Sequence, residues 1–206
     1  MDKYIFGITG ATGAGKSTVS SILRKYGVFV ADADKAAREA TTSNSDCIKE
    51  LKNNFGADIY TADNRLNRQE LAQIVFNDEN QLKLLNSITH KYIKQYIENE
   101  LMQSEAAIAA VDGAVLIGSP VMDLCQKLVV VTADEKIRKE RIIKRDFLSN
   151  EMAENRISSQ MTNAEYEKYA DFIIVNNGDN VRLEECVEQV YIKIKNLSKT
   201  ACPSSG

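Results

Sequence analysis

A single histidine, His90, stands in the 206 residues, which excludes a metal centre built on several imidazoles. No C-x-x-C pair occurs. Cys47, Cys125, Cys186 and Cys202 are scattered, the pattern of reduced thiols in a cytosolic protein. No apolar run approaches the roughly 20 residues that span a bilayer, so no membrane helix is expected. Met1-Asp2-Lys3-Tyr4 leads straight into a strand-like run, and no signal peptide is expected there. An excess of positive charge is also missing. The formal net charge of -3 speaks against a protein that mainly coats nucleic acid. Neither internal repeats nor low-complexity segments occur. With 44% hydrophobic and 27% charged residues, what is present has the balance of an ordinary globular protein, with length for one good core and a small inserted subdomain.

One stretch organises the chain. Gly10-Ala11-Thr12-Gly13-Ala14-Gly15-Lys16-Ser17 fits the phosphate-loop pattern at every fixed position. Tyr4-Ile5-Phe6-Gly7-Ile8-Thr9 before it reads as a buried strand. Val19, Ile22 and Leu23 after it recur at helical spacing. A triphosphate is a dense anion, and a helix N-terminus offers it unpaired N–H groups and a positive dipole end. The glycines let the loop bend until those groups converge. Lys16 adds a mobile charge for the β- and γ-phosphates, and the Ser17 hydroxyl is a ligand for Mg²⁺.

Further short apolar runs alternate with helical patterns. Val28–Ala31, Ala106–Val111, Leu128–Val131 and Phe172–Val175 read as strands, the run at Leu128 being apolar enough to be buried on both faces. Helical spacing is expected over Lys35–Thr41 with Asp34 as a candidate cap, Ser45–Phe55 ended by Gly56, a segment capped by Asn67, and Glu79–Gln103. It continues over Glu135–Asp146, Asn150–Gln160, Ala164–Ala170 and Asn180–Leu197. Thr61-Ala62-Asp63-Asn64 reads as a turn, and residues 198–206 as a disordered tail. The expected architecture is α/β: a three-layer phosphate-loop nucleoside-triphosphatase (P-loop NTPase) fold with a five-stranded parallel sheet covered on both faces. Its core is expected at about 1–32, 104–136 and 170–197, with a helical insertion at about 33–103 and a helical lid at about 137–169.

In such sheets ligands bind at the carboxyl ends of the strands, where Asp32-Ala33-Asp34 and Asp112 also fall. In an extended segment Asp32 and Asp34 would point to one side, and one would serve as a general base. The plain alternative is a helix cap at Asp34 and a solvated Asp32. Asp112 is equally compatible with a water-mediated hold on Mg²⁺ and with an Asp-Gly turn. Arg141 and Arg145 share a helical face and could neutralise phosphoryl charge from a mobile flap. Arg138 and Lys139 read as a solvated face. His90 reads as a packed or surface helical residue.

Taken together, the chain resembles the dephospho-CoA kinase family over about residues 4–195. The matching stretches are Ile8-Thr9-Gly10 through Lys16-Ser17-Thr18, Asp32-Ala33-Asp34 with Ala37-Arg38-Glu39, and Leu66-Asn67-Arg68 with Leu71. To these are added Val75-Phe76, Leu85 to His90, Arg141, Arg145-Asp146 with Leu148-Ser149, Arg156-Ile157 with Gln160-Met161, and Ala170-Asp171 with Asn177-Gly178. The resemblance implies phosphorylation of the ribose 3′-hydroxyl of dephospho-CoA by ATP in the cytoplasm, with neither nucleic acid nor membrane as partner. It implies Asp34 as the base, the insertion as the grip on the CoA precursor, and the Arg141/Arg145 region as the lid. It implies that ATP lies on Gly10 to Thr18, with Ala11, Thr12, Gly13 and Ala14 among them, and that Asn177-Gly178 lies near its adenine. Ser17 and Asp112 are expected to hold Mg²⁺. The chain departs from the family at Gly10-Ala11 for Gly-Gly, at His90-Lys91 for His-Pro, and at Asp112–Gly118, where Ala114 and Gly118 replace the usual proline and glutamate. Two other readings remain open at this stage: a kinase of another small hydroxyl acceptor, and a nucleotide binder without transfer activity.

Overall fold

The computed structural model describes residues 3–63, 65–76 and 78–201. Strand β1 (Tyr4–Thr9) leads into helix α1 (Lys16–Lys25), and β2 (Phe29–Asp32) into α2 (Ala33–Thr42) and α3 (Ser45–Phe55). Helices α4 (Arg68–Phe76) and α5 (Glu79–Gln103) precede β3 (Ile108–Asp112). After β4 (Lys127–Thr132) come α6 (Glu135–Asp146), α7 (Asn150–Ser158) and α8 (Asn163–Glu167), and β5 (Phe172–Val175) is followed by α9 (Asn180–Ala201).

The strands form one five-stranded parallel sheet in the order β2-β3-β1-β4-β5. Parallel neighbours need crossover connections, and the intervening helices supply them. Register places Ile8 of β1 beside Asp112 of β3 and beside Val129 of β4. Side chains alternate across the sheet with period two. On one face Phe6, Ile8, Val129, Val131 and Ile174 pack with Val19, Ile22 and Leu23 of α1 and with Leu183, Val187 and Ile194 of α9. On the other, Leu128 and Val130 pack with Ala11 and Tyr166. That two-sided burial explains why the β4 sequence is apolar without alternation. At the edge, β5 departs from the expectation of two covered faces: Ile173 and Val175 are about half exposed.

By its contacts the chain divides into two compact units, one made of residues up to Ala31 with residues from Leu101 on, the other Asp32–Glu100. The second has its own core of Ala40, Cys47, Leu51, Phe55, Ile59, Tyr60, Leu71, Ile88 and Tyr92. Its buried phenols are partnered: Tyr60 donates to the Thr41 carbonyl at 2.9 Å and Tyr92 to Glu50 Oε2 at 2.7 Å. The Asn44 side chain caps α3 by accepting from the Asp46 and Cys47 N–H groups. Gly56, at φ 92°, ends that helix, and Asn67 accepts from Glu70 N–H at the head of α4.

Three expectations are corrected. Asp32, not Asp34, caps α2: the last residue of β2 accepts the Lys35 N–H at 2.8 Å, so the helix begins at Ala33 and Asp34 sits in its first turn rather than in an extended segment. Helix α9 runs on to Ala201, so residues 198–201 are not a disordered tail; residues 202–206 and Asn64 lie outside the described residues. Helix α8 stops at Glu167, because Asp171 must meet β4, its N–H on the Leu128 carbonyl and its carboxylate on the Leu128 N–H.

Candidate active site

The loop between β1 and α1 has backbone angles that side chains resist. Gly10 has φ 146° and lies so close to the Val131 carbonyl of β4 that a Cβ would overlap it. Gly15, the N-cap of α1, has φ 97°, and a Cβ there would overlap the Asn176 amide nitrogen. The loop is therefore seated directly on the ends of β4 and β5.

Its carbonyls are held from behind. Arg138 Nε donates to Thr12 O at 3.0 Å. Arg141 Nη1 donates to Gly13 O at 3.1 Å and Nη2 to Asn176 Oδ1 at 3.2 Å. Asn176 Nδ2 donates to Ala14 O at 2.9 Å, and its own N–H is tied to Thr132 O. A peptide plane carries its N–H opposite its C=O. Holding the carbonyls of Thr12 and Ala14 therefore fixes where the Gly13 and Gly15 N–H groups point. The Thr12 N–H is bound to Gln160 Oε1 and the Ala14 N–H to Ala11 O. The amides of Gly13, Gly15, Lys16 and Ser17 at the head of α1 are thus the ones arranged for an anion. Lys16 Nζ lies across the loop on the Gly10 carbonyl at 2.8 Å.

On the other side of α1, Ser17 is exposed in the first turn, and Ser20, one turn on and buried, donates to Asp112 Oδ2 at 2.6 Å. Ser17 and Ser20 share a helix face. A hydroxyl and a carboxylate therefore stand on the same flank of the loop, both hard oxygen donors of the type Mg²⁺ takes while keeping most of its waters. Among the described residues there is no cluster of three or more His, Cys, Asp and Glu side chains that could hold a metal ion by themselves.

The arginines of α6 divide differently from the sequence expectation. Arg138 is not on a solvated face: it is 3% exposed, because its position one turn before Arg141 and Ile142 turns it toward the loop. Burial pushes its guanidinium pKa down from the usual value. Lys139 pairs with Glu154 of α7 at 2.6 Å. Arg145 grips Asp146 with Nε and Nη2 at 2.7 and 2.9 Å, and Arg156 of α7 joins the same carboxylate at 2.6 Å. The hydrogen bonds from Arg145 first, and the charge of both arginines, hold the Asp146 carboxyl below its usual pKa. Of the two arginines expected to act together, Arg141 is at the loop and Arg145 is bound to its neighbour. Asn177 accepts the Asp134 N–H at 2.9 Å, and Gly178 has φ 106° beside it.

In the second unit, Asp34 is exposed in the first turn of α2. Lys35 next to it pairs with Glu100 at 3.5 Å. His90 is half-buried on α5, and burial lowers its pKa, so it is neutral at neutral pH.

Reasoning from sequence missed Arg138, Asn176, Gln160 and Ser20 as parts of the loop's surroundings. Each acts on a residue brought to it by tertiary packing; only Ser20, at helical spacing from Ser17, had a local signal.

The dephospho-CoA kinase family profile matches residues 4–182 of this chain. A dephospho-CoA kinase of Aggregatibacter actinomycetemcomitans is 34% identical over 194 residues, covering 94% of each chain. A crystal structure of a Thermus thermophilus protein superposes with a TM-score of 0.80 at 29% identity, over 93% of this chain and 97% of that one. A dephospho-CoA kinase structure from Campylobacter jejuni gives 0.57 at 27% identity, over 94% and 98%.

Proposed function

The chain belongs to the dephospho-CoA kinase family, and we infer that it carries out that family's reaction: transfer of the γ-phosphoryl group of ATP to the ribose 3′-hydroxyl of dephospho-CoA, giving CoA and ADP, the last step of CoA synthesis. One observation carries this reading: the family match runs through a phosphate loop that keeps every fixed position of its motif.

Roles follow from the chemistry. The amides at the head of α1 and Lys16 bind the triphosphate, with Gly10, Ala11, Thr12, Gly13, Ala14, Gly15 and Thr18 forming the loop around it. Asp34 accepts the proton of the 3′-hydroxyl as its oxygen bonds to the γ-phosphorus and the bond to the bridging oxygen of ADP breaks. Arg141 stabilises charge on the transferring group. Arg145 joins it once a phosphate competes for the guanidinium that now holds Asp146. Ser17, directly, and Asp112, through water, would hold Mg²⁺, which when bound neutralises charge on the phosphates. Asn177 and Gly178 border the adenine. The helical stretch 33–103 grips the CoA precursor, and residues 137–169 act as a lid that keeps water from the γ-phosphate. The setting we propose is the cytoplasm.

The test is an ADP-release assay with MgATP, with and without dephospho-CoA, and mass analysis of the product. Strong stimulation with a product one phosphate heavier than the acceptor is expected. ATP binding without stimulation would reject dephospho-CoA as the acceptor and turn attention to Ala114 and Gly118, where the usual proline and glutamate are replaced.

A further inference from the structure

Thr12, at the crest of the phosphate loop, is gripped on three atoms. Its N–H donates to Gln160 Oε1 at 2.9 Å, its Oγ1 accepts from Gln160 Nε2 at 2.9 Å, and its carbonyl accepts from Arg138 Nε at 3.0 Å. Gln160 lies just past the end of α7, 148 residues along the chain from Thr12. The pairing is a closed ring in which one amide uses its acceptor and its donor on one residue. An amide so placed reads both the backbone and the hydroxyl of Thr12, and a residue without a side-chain oxygen there would leave Nε2 unpaired.

Arg138 contributes something different. Taking a guanidinium out of water is costly, and such groups are ordinarily paired with a carboxylate. Here the side chain is 3% exposed, Nε is spent on a loop carbonyl, Nη2 has no hydrogen-bond partner among the described residues, and the charge of nearby Glu135 offsets only part of the cost of burial. The backbone of Arg138 also abuts Gly13, so closely that a Cβ there would be 2.8 Å from the Arg138 carbonyl oxygen. A buried cation under a loop that receives a triphosphate is unfavourable in the empty protein and is offset when the anion arrives, which makes its placement a contribution to nucleotide affinity.

We propose that Gln160 and Arg138 are positioning residues of the phosphate loop: acting through Thr12, they fix the Ala11–Thr12 and Thr12–Gly13 peptides, so that the Gly13 N–H points at the nucleotide phosphates. Neither touches the reacting atoms. The physical reason is the rigidity of the peptide plane. With the Thr12 carbonyl tied down to Arg138, the Gly13 N–H can only face the opposite way, and a glycine at φ 81° has no side chain to set that orientation by itself. The arrangement also makes α6 and the end of α7, the flap segment, part of the support of the phosphate loop. The inference rests on the kinase reading for the identity of the nucleotide, but not for the existence of the clamp.

The local packing allows a clean test. Gln160 and Arg138 both border a cleft of about 490 Å³ between α6, α7 and the start of α8, and Gln160 is only partly buried and belongs to none of the apolar clusters described above. The experiment uses the full chain with Gln160→Ala, Thr12→Val, the double variant, Thr12→Ser and Arg138→Met. It measures equilibrium MgATP affinity, KM for each substrate, kcat and Tm. Loss of one to two hydrogen bonds predicts about tenfold weaker ATP binding for Gln160→Ala and about threefold for Thr12→Val. The double variant should be no weaker than Gln160→Ala alone, and Thr12→Ser should restore parental affinity. KM for dephospho-CoA and Tm should stay near parental values. Arg138→Met should also weaken ATP by about tenfold. Unchanged ATP affinity in these variants overturns the proposal. So do single-variant effects that multiply in the double, or losses that fall equally on both substrates and follow Tm. If Arg138→Met does not fold, the Gln160–Thr12 cycle decides. A parent that binds MgATP yet makes no CoA would reject the kinase reading, while the affinity cycle would still judge the clamp.

Discussion

At the scale of single residues, burial and pairing, not charge as such, separate the groups that can act from those that hold others in place. Arg138, Arg141 and Arg145 lie on one helix and look alike in sequence. One is buried on a loop carbonyl, one spans the loop and Asn176, and one is bound to Asp146. Asp32 and Asp34 also look alike. Asp32 is spent on capping α2, and Asp34 is left exposed, the carboxylate proposed above as the base. The corresponding prediction is that Asp34→Asn lowers kcat by about 10²- to 10⁴-fold, the range of a lost general base. ATP affinity should be nearly unchanged, since Asp34 is no part of the loop. Rapid-quench turnover together with calorimetric ATP titration checks this, and a variant with full turnover would remove Asp34 from the mechanism.

At the scale of elements, α6 and α7 are joined through Asp146, which takes Arg145 from its own helix and Arg156 from the next. These partners lower the pKa of Asp146 in the folded chain below its ordinary value of 3.8. A carboxyl whose folded pKa is depressed stabilises the fold at pH above the unfolded value, and that stabilisation is lost as pH falls through the folded one. Asp146→Asn should therefore have a lower Tm than the parent at neutral pH, and the gap should close as pH is taken below 3.8. Thermal melts of both proteins across acid pH test it; a gap independent of pH would mean that Asp146 acts by shape alone. Most elements were legible from periodicity, because the bounds of α5, α6 and β5 depend on local pattern and local caps. The start of α2 was not, because two aspartates two residues apart compete for one cap and only backbone direction chooses between them.

At the scale of the whole molecule, the two larger apolar cores among the described residues are built separately. That of the sheet is made by residues of all five strands with α1 and α9, and that of Asp32–Glu100 by its own helices. Leu51, fully buried in the second, contributes about 2–5 kcal/mol against truncation to alanine. Because the cores are built from separate residues, Leu51→Ala should speed amide exchange in residues 40–92 while leaving β1, β4 and α1 protected and MgATP affinity near parental. Hydrogen-exchange mass spectrometry reads both regions at once. Equal loss of protection in the two would show that they unfold as one cooperative unit.

The amino-acid sequence by itself determined the phosphate loop, its strand and helix, and the alternation that makes a parallel sheet. These depend on residue type and on spacings of a few positions: glycines where φ must be positive, apolar residues at period two or 3.6. The tertiary structure decided which polar side chains serve the loop. Gln160 reaches Thr12 across 148 residues and Asn176 reaches Ala14 across 162. Such pairs are made by the packing of α6, α7 and β5 around the loop, and no local pattern distinguishes the buried arginine of α6 from its solvent-facing neighbours until that packing sets which face of the helix is turned inward.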